Sequence, residues 1–170
     1  MSGSPGPAGP PEAFDALLLL VGRLNYSWTN TESLLIHLIG GLARTDKDSA
    51  VIIFLTLNST RARIDLVERL AKLDRTPSAE KSATLALTNR VMKYSSLRNR
   101  FSHSIYAFDP ETGTARTIMM RIADRKDAIK VGRSDVIDAG TIRQIETALE
   151  DLGTLNRDFW AHIRKFDYPT

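Results

Sequence analysis

Residues 95–106 read SSLRNRFSHSIY, and within them six consecutive positions hold two arginines, an asparagine and one of the chain's three histidines. A guanidinium offers a planar fork of donors that matches phosphate oxygens. An imidazole can give or take a proton near neutral pH. Arg98, Asn99 and His103 together therefore suit the binding of a phosphodiester and acid–base chemistry upon it. Between Arg90 and Arg100 stand four basic residues and no acidic one, with Tyr94 among them and Phe101 and Tyr106 just beyond. A basic run with interleaved aromatics fits a phosphate-bearing chain, because bases stack on aromatic faces. Arg90, Lys93, Tyr94 and Arg100 are thus expected to contact RNA or phosphate.

Spacing sets a condition on that chemistry. Asn99 and His103 are four apart and share a helix face. Arg98 is five from His103, about 140° away around an ideal helix. The two meet on one ligand only if the helix ends near Ser102 or if a second copy of the chain completes the site.

The positioning elements are read from periodicity. Phe14, Leu17, Leu18, Val21, Leu24 and Trp28 form a helical stripe that Leu35, Leu38, Ile39 and Leu42 continue, with Gly40 and Gly41 as its stop. A second helix spans about 48–73, marked by Ile52, Ile53, Leu55, Ile64, Val67 and Leu70, with a break near LNST, residues 57–60, where Asn, Ser and Thr divert backbone hydrogen bonds. A third begins near Ser78, its proposed cap, and ends near 102, with Leu87, Val91, Tyr94, Arg98 and Phe101 on one side. SIYAFD, TARTIMMRIA and AIKVG, separated by DPETG and DRKD turns, read as three short strands. Asp138 caps a last helix that carries Ile142, Ile145, Leu149, Leu152, Phe159, Ile163 and Phe166. The fold class is mainly α: a bundle of four to five helices with a small antiparallel β meander, about 104–132, inserted before the last helix. Residues 1–11, rich in Gly, Pro and Ser, read as a disordered tail, and 12–170 as a single domain.

Composition excludes several classes. At 170 residues, 42% hydrophobic and 25% charged, the chain suits one ordinary globular domain. It has no cysteine, which removes disulfides, thiolate catalysis and the common structural zinc sites. The three histidines are scattered, no carboxylates of matching spacing accompany them, and neither metal nor other cofactor is expected. A net charge of +3 permits an acidic partner such as RNA. The apolar runs are shorter than the roughly 20 residues a bilayer requires, so a cytoplasmic protein without a membrane partner is expected. Phosphate-loop and nucleophile-elbow motifs are missing, which disfavours nucleotide-driven and acyl-transfer enzymes.

RNRFSH, Arg98 to His103, resembles the R-N-x-x-x-H signature of HEPN domains, small helical bundles that include metal-independent ribonucleases of toxin–antitoxin and antiviral systems. The element order is similar, and YSWTNTESLLIHLI, with Glu32 inside an aromatic and apolar run, looks like the first helix of such domains. The resemblance implies a homodimer, an RNA substrate whose 2′-hydroxyl is the nucleophile, and an antitoxin-like protein partner. It assigns proton transfer to His103, phosphate binding to Arg98, and orientation of phosphate or histidine to Asn99. A second stretch, RDFWAH, repeats the spacing from Arg157 to His162 but lies inside a continuous helix. Two blander readings stay open. Arg98 can pair structurally with Glu32 or Asp65, and the chain can be a non-catalytic module that binds a nucleotide, RNA or a protein. His37 is expected to face solvent and His162 to be partly buried.

Overall fold

The computed structural model describes residues 12–125 and 128–170. The tail reading of residues 1–11 and the tip of the DRKD turn lie outside the described residues. The described chain runs α1 (Glu12–Ser33), α2 (Leu35–Ala43), α3 (Lys47–Thr56), α4 (Thr60–Ala71), α5 (Ser78–Ser102), β1 (Ser104–Asp109), β2 (Thr114–Arg125), β3 (Ala128–Val136) and α6 (Ala139–Lys165). It is a helical bundle with a three-stranded antiparallel meander before its last helix, as the periodicity predicts. The insert reaches Val136 instead of 132.

Leu17, Val21, Leu24 and Trp28 repeat at helical spacing on α1 and are buried against Ile145, Leu152, Leu155 and Phe159 of α6 and Phe101 of α5. Each such side chain contributes about 1.5–3 kcal/mol when withdrawn from water. Helical conformation persists from α1 into α2, but it tightens at Leu34, where Leu34 N–H bonds Thr31 O at 3.2 Å and His37 N–H bonds Leu34 O at 3.2 Å. Thr31 and Ser33 hydroxyls bond the Ser27 and Asn30 carbonyls, which takes those acceptors partly out of the regular ladder. With α1 and α2 counted as one bent helix, the bundle has five.

Gly40 and Gly41 are not the stop of this helix. It ends at Arg44, which adopts the left-handed conformation at φ 56°. The glycines serve packing: a Cβ on Gly41 would stand 2.1 Å from Tyr168 Cδ1, so only glycine lets the C-terminal segment lie flat on α2. That segment also explains His37, which is half-buried, not solvent-facing: its Nδ1 is 2.6 Å from the Pro169 carbonyl and its ring lies 5.3 Å from that of Trp160.

The expected break after α3 is present. Asp46 caps α3 by accepting from Ser49 N–H at 2.8 Å, and Ser59 caps α4 by accepting from Ala62 N–H at 3.2 Å. α3 buries Ala50 and Phe54 instead of Ile52 and Leu55, which are exposed. Its short length leaves it packing chiefly on α2 with one narrow face. α5 starts at Ser78 without a side-chain cap, with Pro77 in the capping position. Asp138 caps α6 through Thr141 N–H at 2.7 Å. No helix among the described residues is long and apolar enough to cross a membrane.

In the sheet, Ser104 opposes Met119 and Asp109 opposes Thr114, while Arg116 of β2 opposes Val136 of β3. Asp109 Oδ1 receives the Glu111 and Thr112 N–H groups, and Gly113 at φ 64° closes the first turn. Phe108 meets Phe14 of α1 with ring centroids 5.8 Å apart, which seats the meander on the bundle.

Candidate functional site

The last turns of α5 and the first turn of α4 bound a cleft of about 380 Å³ lined by Asn58, Ser59, Thr60, Arg61, Arg63, Ser95, Arg98, Asn99 and His103. Its volume is within the range of small-ligand sites. The geometric condition set by the five-residue spacing is met in a single chain. α5 ends at Ser102, His103 is its C-terminal cap residue at φ −113°, and its N–H bonds Asn99 O at 3.1 Å. The chain turns out of the helix there, so the His103 side chain joins Arg98 and Asn99 at one cleft.

Several contacts fix this helix end. Ser102 Oγ bonds Asn25 Oδ1 of α1 at 2.5 Å, and Ser104 Oγ donates to Arg100 O at 2.5 Å. Tyr106 donates its hydroxyl to Phe101 O at 2.6 Å. Burial pushes the Tyr106 phenol up to about 12, so it stays a donor throughout the ordinary pH range.

Beneath the cleft lies Glu32, whose side chain is only 8% exposed. Its Oε1 accepts from Thr60 Oγ1 at 2.6 Å and from an Arg63 terminal nitrogen at 3.1 Å, while Oε2 accepts from Trp28 Nε1 at 3.1 Å. Arg98 stands 3.8 Å from Oε2, an ion pair too long for a hydrogen bond. Its guanidinium also lies 5.2 Å from the centroid of the Trp28 ring. Its Nε is buried with no partner among the described residues. The structural pairing of Arg98 with Glu32 therefore exists, but it leaves Arg98 donors unused. Asp65, the other carboxylate considered for Arg98, pairs with Arg61 at 2.9 Å.

The remaining basic residues of 90–100 go elsewhere. Arg90 pairs with Asp158 of α6 at 2.5 Å; Lys93 is 3.8 Å from Asp151, to which Tyr94 also donates. Arg100 is 3.9 Å from Asp135 of β3 and 5.3 Å from the Phe101 centroid. The reason is helical: Arg98 and Arg100 are two positions apart, about 160° the shorter way round the helix. Burial and the bond to Asp151 raise the Tyr94 phenol. The second arginine–histidine stretch is split. Arg157 lines a groove between α1 and α6, whereas His162 is buried, with Nε2 at 3.2 Å from Thr84 Oγ1 and its ring against Phe166 and Tyr168.

Asn58, Ser59, Thr60, Arg61 and Arg63 line the cleft without having been expected there. One signal was present. Arg61 and Arg63 occupy the start of α4, where a cation opposes the positive end of the helix dipole. A local rule broken in this way marks a place where another requirement dominates. Among the described residues, no three His, Asp or Glu side chains gather as a metal ion would need.

Comparison with known proteins returns no matching family model, no matching curated protein and no matching solved structure. The cleft's own geometry is therefore the ground for any functional reading.

Proposed function

We propose that this chain is a metal-independent endoribonuclease of the HEPN-like kind, with Arg98, Asn99 and His103 as its working residues. One observation carries this reading: those three side chains, drawn from the one stretch that reads R-N-x-x-x-H, line one arginine-rich cleft where α5 ends. Arg98 and the nearby Arg63 and Arg61 supply positive charge for a phosphodiester. In the reaction the RNA 2′-oxygen attacks phosphorus and the P–O5′ bond breaks, leaving a 2′,3′-cyclic phosphate and a 5′-hydroxyl. His103 takes the 2′-hydroxyl proton or delivers one to the leaving oxygen. Arg98 stabilises the charge that develops on the phosphoryl oxygens, and Asn99 orients the phosphate. A homodimer that sets a second His103 across the scissile bond would provide both proton transfers. An antitoxin-like protein covering the cleft belongs to the same reading.

Purified protein is expected to cleave RNA in EDTA. His103→Ala and Arg98→Ala are expected to lose cleavage while keeping the wild-type circular dichroism spectrum. Undiminished cleavage by both variants would remove the assignment.

A second reading is a module that binds RNA, a nucleotide or a protein without cleaving. It is favoured by the His103 ring, which makes no hydrogen bond among the described residues and so has no partner fixing its tautomer. Salt-sensitive RNA binding without cleavage is its signature.

A further inference from the structure

We propose that Glu32 is the positioning residue of this cleft: its buried carboxylate fixes where the Arg98 guanidinium meets a phosphate, acting through that arginine without touching substrate. The proposal rests on the phosphodiester reading of the cleft.

Three helices converge on this one carboxylate. Trp28 reaches it from α1 itself, Thr60 and Arg63 from α4, and Arg98 from α5. A buried carboxylate is tolerated only when it is well paired and hydrogen-bonded, and here both oxygens are occupied. The two arginines are held differently. Arg63 also donates its Nε to Phe54 O at 3.2 Å and lies 4.0 Å over the Phe54 ring, so it is anchored on several sides. Arg98 has the long ion pair, one aromatic face and an unpartnered Nε. Arg63 thus serves as the carboxylate's fixed counter-ion, and Arg98 is steered by it while keeping donors for a ligand.

Electrostatics gives the carboxylate a second effect. Two guanidiniums around one point repel each other, and one negative charge between them relieves that repulsion. Replacing Glu32 by a neutral group leaves the site one unit more positive. RNA should then bind at least as tightly, while the guanidinium that must sit at the phosphate loses its steering. Affinity and turnover are expected to move apart, a pattern that loss of structural integrity would not give, since unfolding lowers both.

The test uses the full chain and its Glu32→Gln variant in EDTA. Single-turnover cleavage of an RNA oligonucleotide is measured beside its binding by fluorescence anisotropy. The Arg98 Nε–H resonance is followed by 15N NMR. Glu32→Gln is expected to cleave at least tenfold more slowly, to bind with equal or lower Kd, and to show a broadened or lost Arg98 Nε–H signal. Unchanged cleavage, or an Arg98 signal unchanged in position and width, would overturn the proposal. If the wild-type chain itself leaves RNA intact, the ribonuclease reading falls. The NMR comparison then decides the role of Glu32 alone: a disturbed signal supports it and an identical one rejects it. Should Glu32→Gln not fold, Thr60→Val removes one anchor of the same carboxylate. A broadened Arg98 signal in that variant supports the proposal, and an unaltered one rejects it.

Discussion

Arg98 stands 3.8 Å from the carboxylate of Glu32, near enough to be attracted and too far to be hydrogen-bonded, whereas Arg63 bonds the same carboxylate at 3.1 Å. Two arginines thus share a buried anion on unequal terms, and the inequality separates a structural cation from one available to a ligand.

That difference is measurable as stability. Arg63→Ala removes hydrogen bonds to a buried carboxylate and to the Phe54 carbonyl, and is expected to cost about 1.5–3 kcal/mol. Arg98→Ala leaves Glu32 with Arg63, Thr60 and Trp28, and is expected to cost less than Arg63→Ala does. Urea unfolding of both variants checks the order. A larger loss for Arg98→Ala would make that residue the structural partner.

RNA affinity should carry the electrostatic mark of the cleft. With about two arginines, Arg61 and Arg98, meeting phosphates, the logarithm of the binding constant should fall against the logarithm of salt with a slope of about −1.4 for a single strand. Arg98→Ala should reduce that slope by about 0.7. Anisotropy titrations from low to moderate salt measure both, and a slope near zero would contradict a phosphate-binding cleft.

The C-terminal segment should act as a latch on α2. Gly41→Ala puts a Cβ into the Tyr168 ring and is expected to destabilise by about 2–4 kcal/mol. In a Tyr168→Ala background the same substitution should cost much less, giving a coupling of about 1–3 kcal/mol in a double-mutant cycle. Additive costs would show that the close approach is relieved elsewhere.

Acid should weaken the fold through His162 before it reaches the carboxylates. Burial holds this imidazole below its ordinary 6.5, with Glu80 opposing the shift and Lys165 reinforcing it. The unfolded chain therefore binds the proton first. Stability is complete above pH 6.5 and declines from there as pH falls toward the folded value. Asp46, Asp109 and Asp138 are held below 3.8 by hydrogen bonds and titrate only in stronger acid. Thermal melts between pH 7.5 and 5 should show a falling midpoint that His162→Gln flattens. An unchanged slope in the variant would assign the loss to other groups.

The architecture was largely legible in the sequence because its helices are amphipathic at regular spacing and its strands alternate between turns. The Leu87–Val91–Tyr94–Phe101 stripe and the Asp138 cap needed no tertiary information. Gly40 and Gly41 misled because a glycine's reason can be a distant ring, here Tyr168, which no local pattern reveals. The basic run from 90 to 100 was legible as charge but not as a surface, since helical rotation and acidic partners on α6 and β3 divide it. The Arg98–Asn99–His103 group was legible because one helix end brings it together. The α4 wall of the cleft was not, because it arrives from a separate helix through Glu32.

The central claim is tested most directly by the ends left on a defined RNA oligonucleotide incubated with the protein in EDTA, read by mass spectrometry. A 2′,3′-cyclic phosphate and a 5′-hydroxyl at the cut are predicted, with no product when the nucleotide 5′ to the cut carries a single 2′-deoxy substitution or when His103→Ala replaces the wild type. Intact RNA with the wild-type protein, or cleavage that survives the 2′-deoxy substitution, would contradict it.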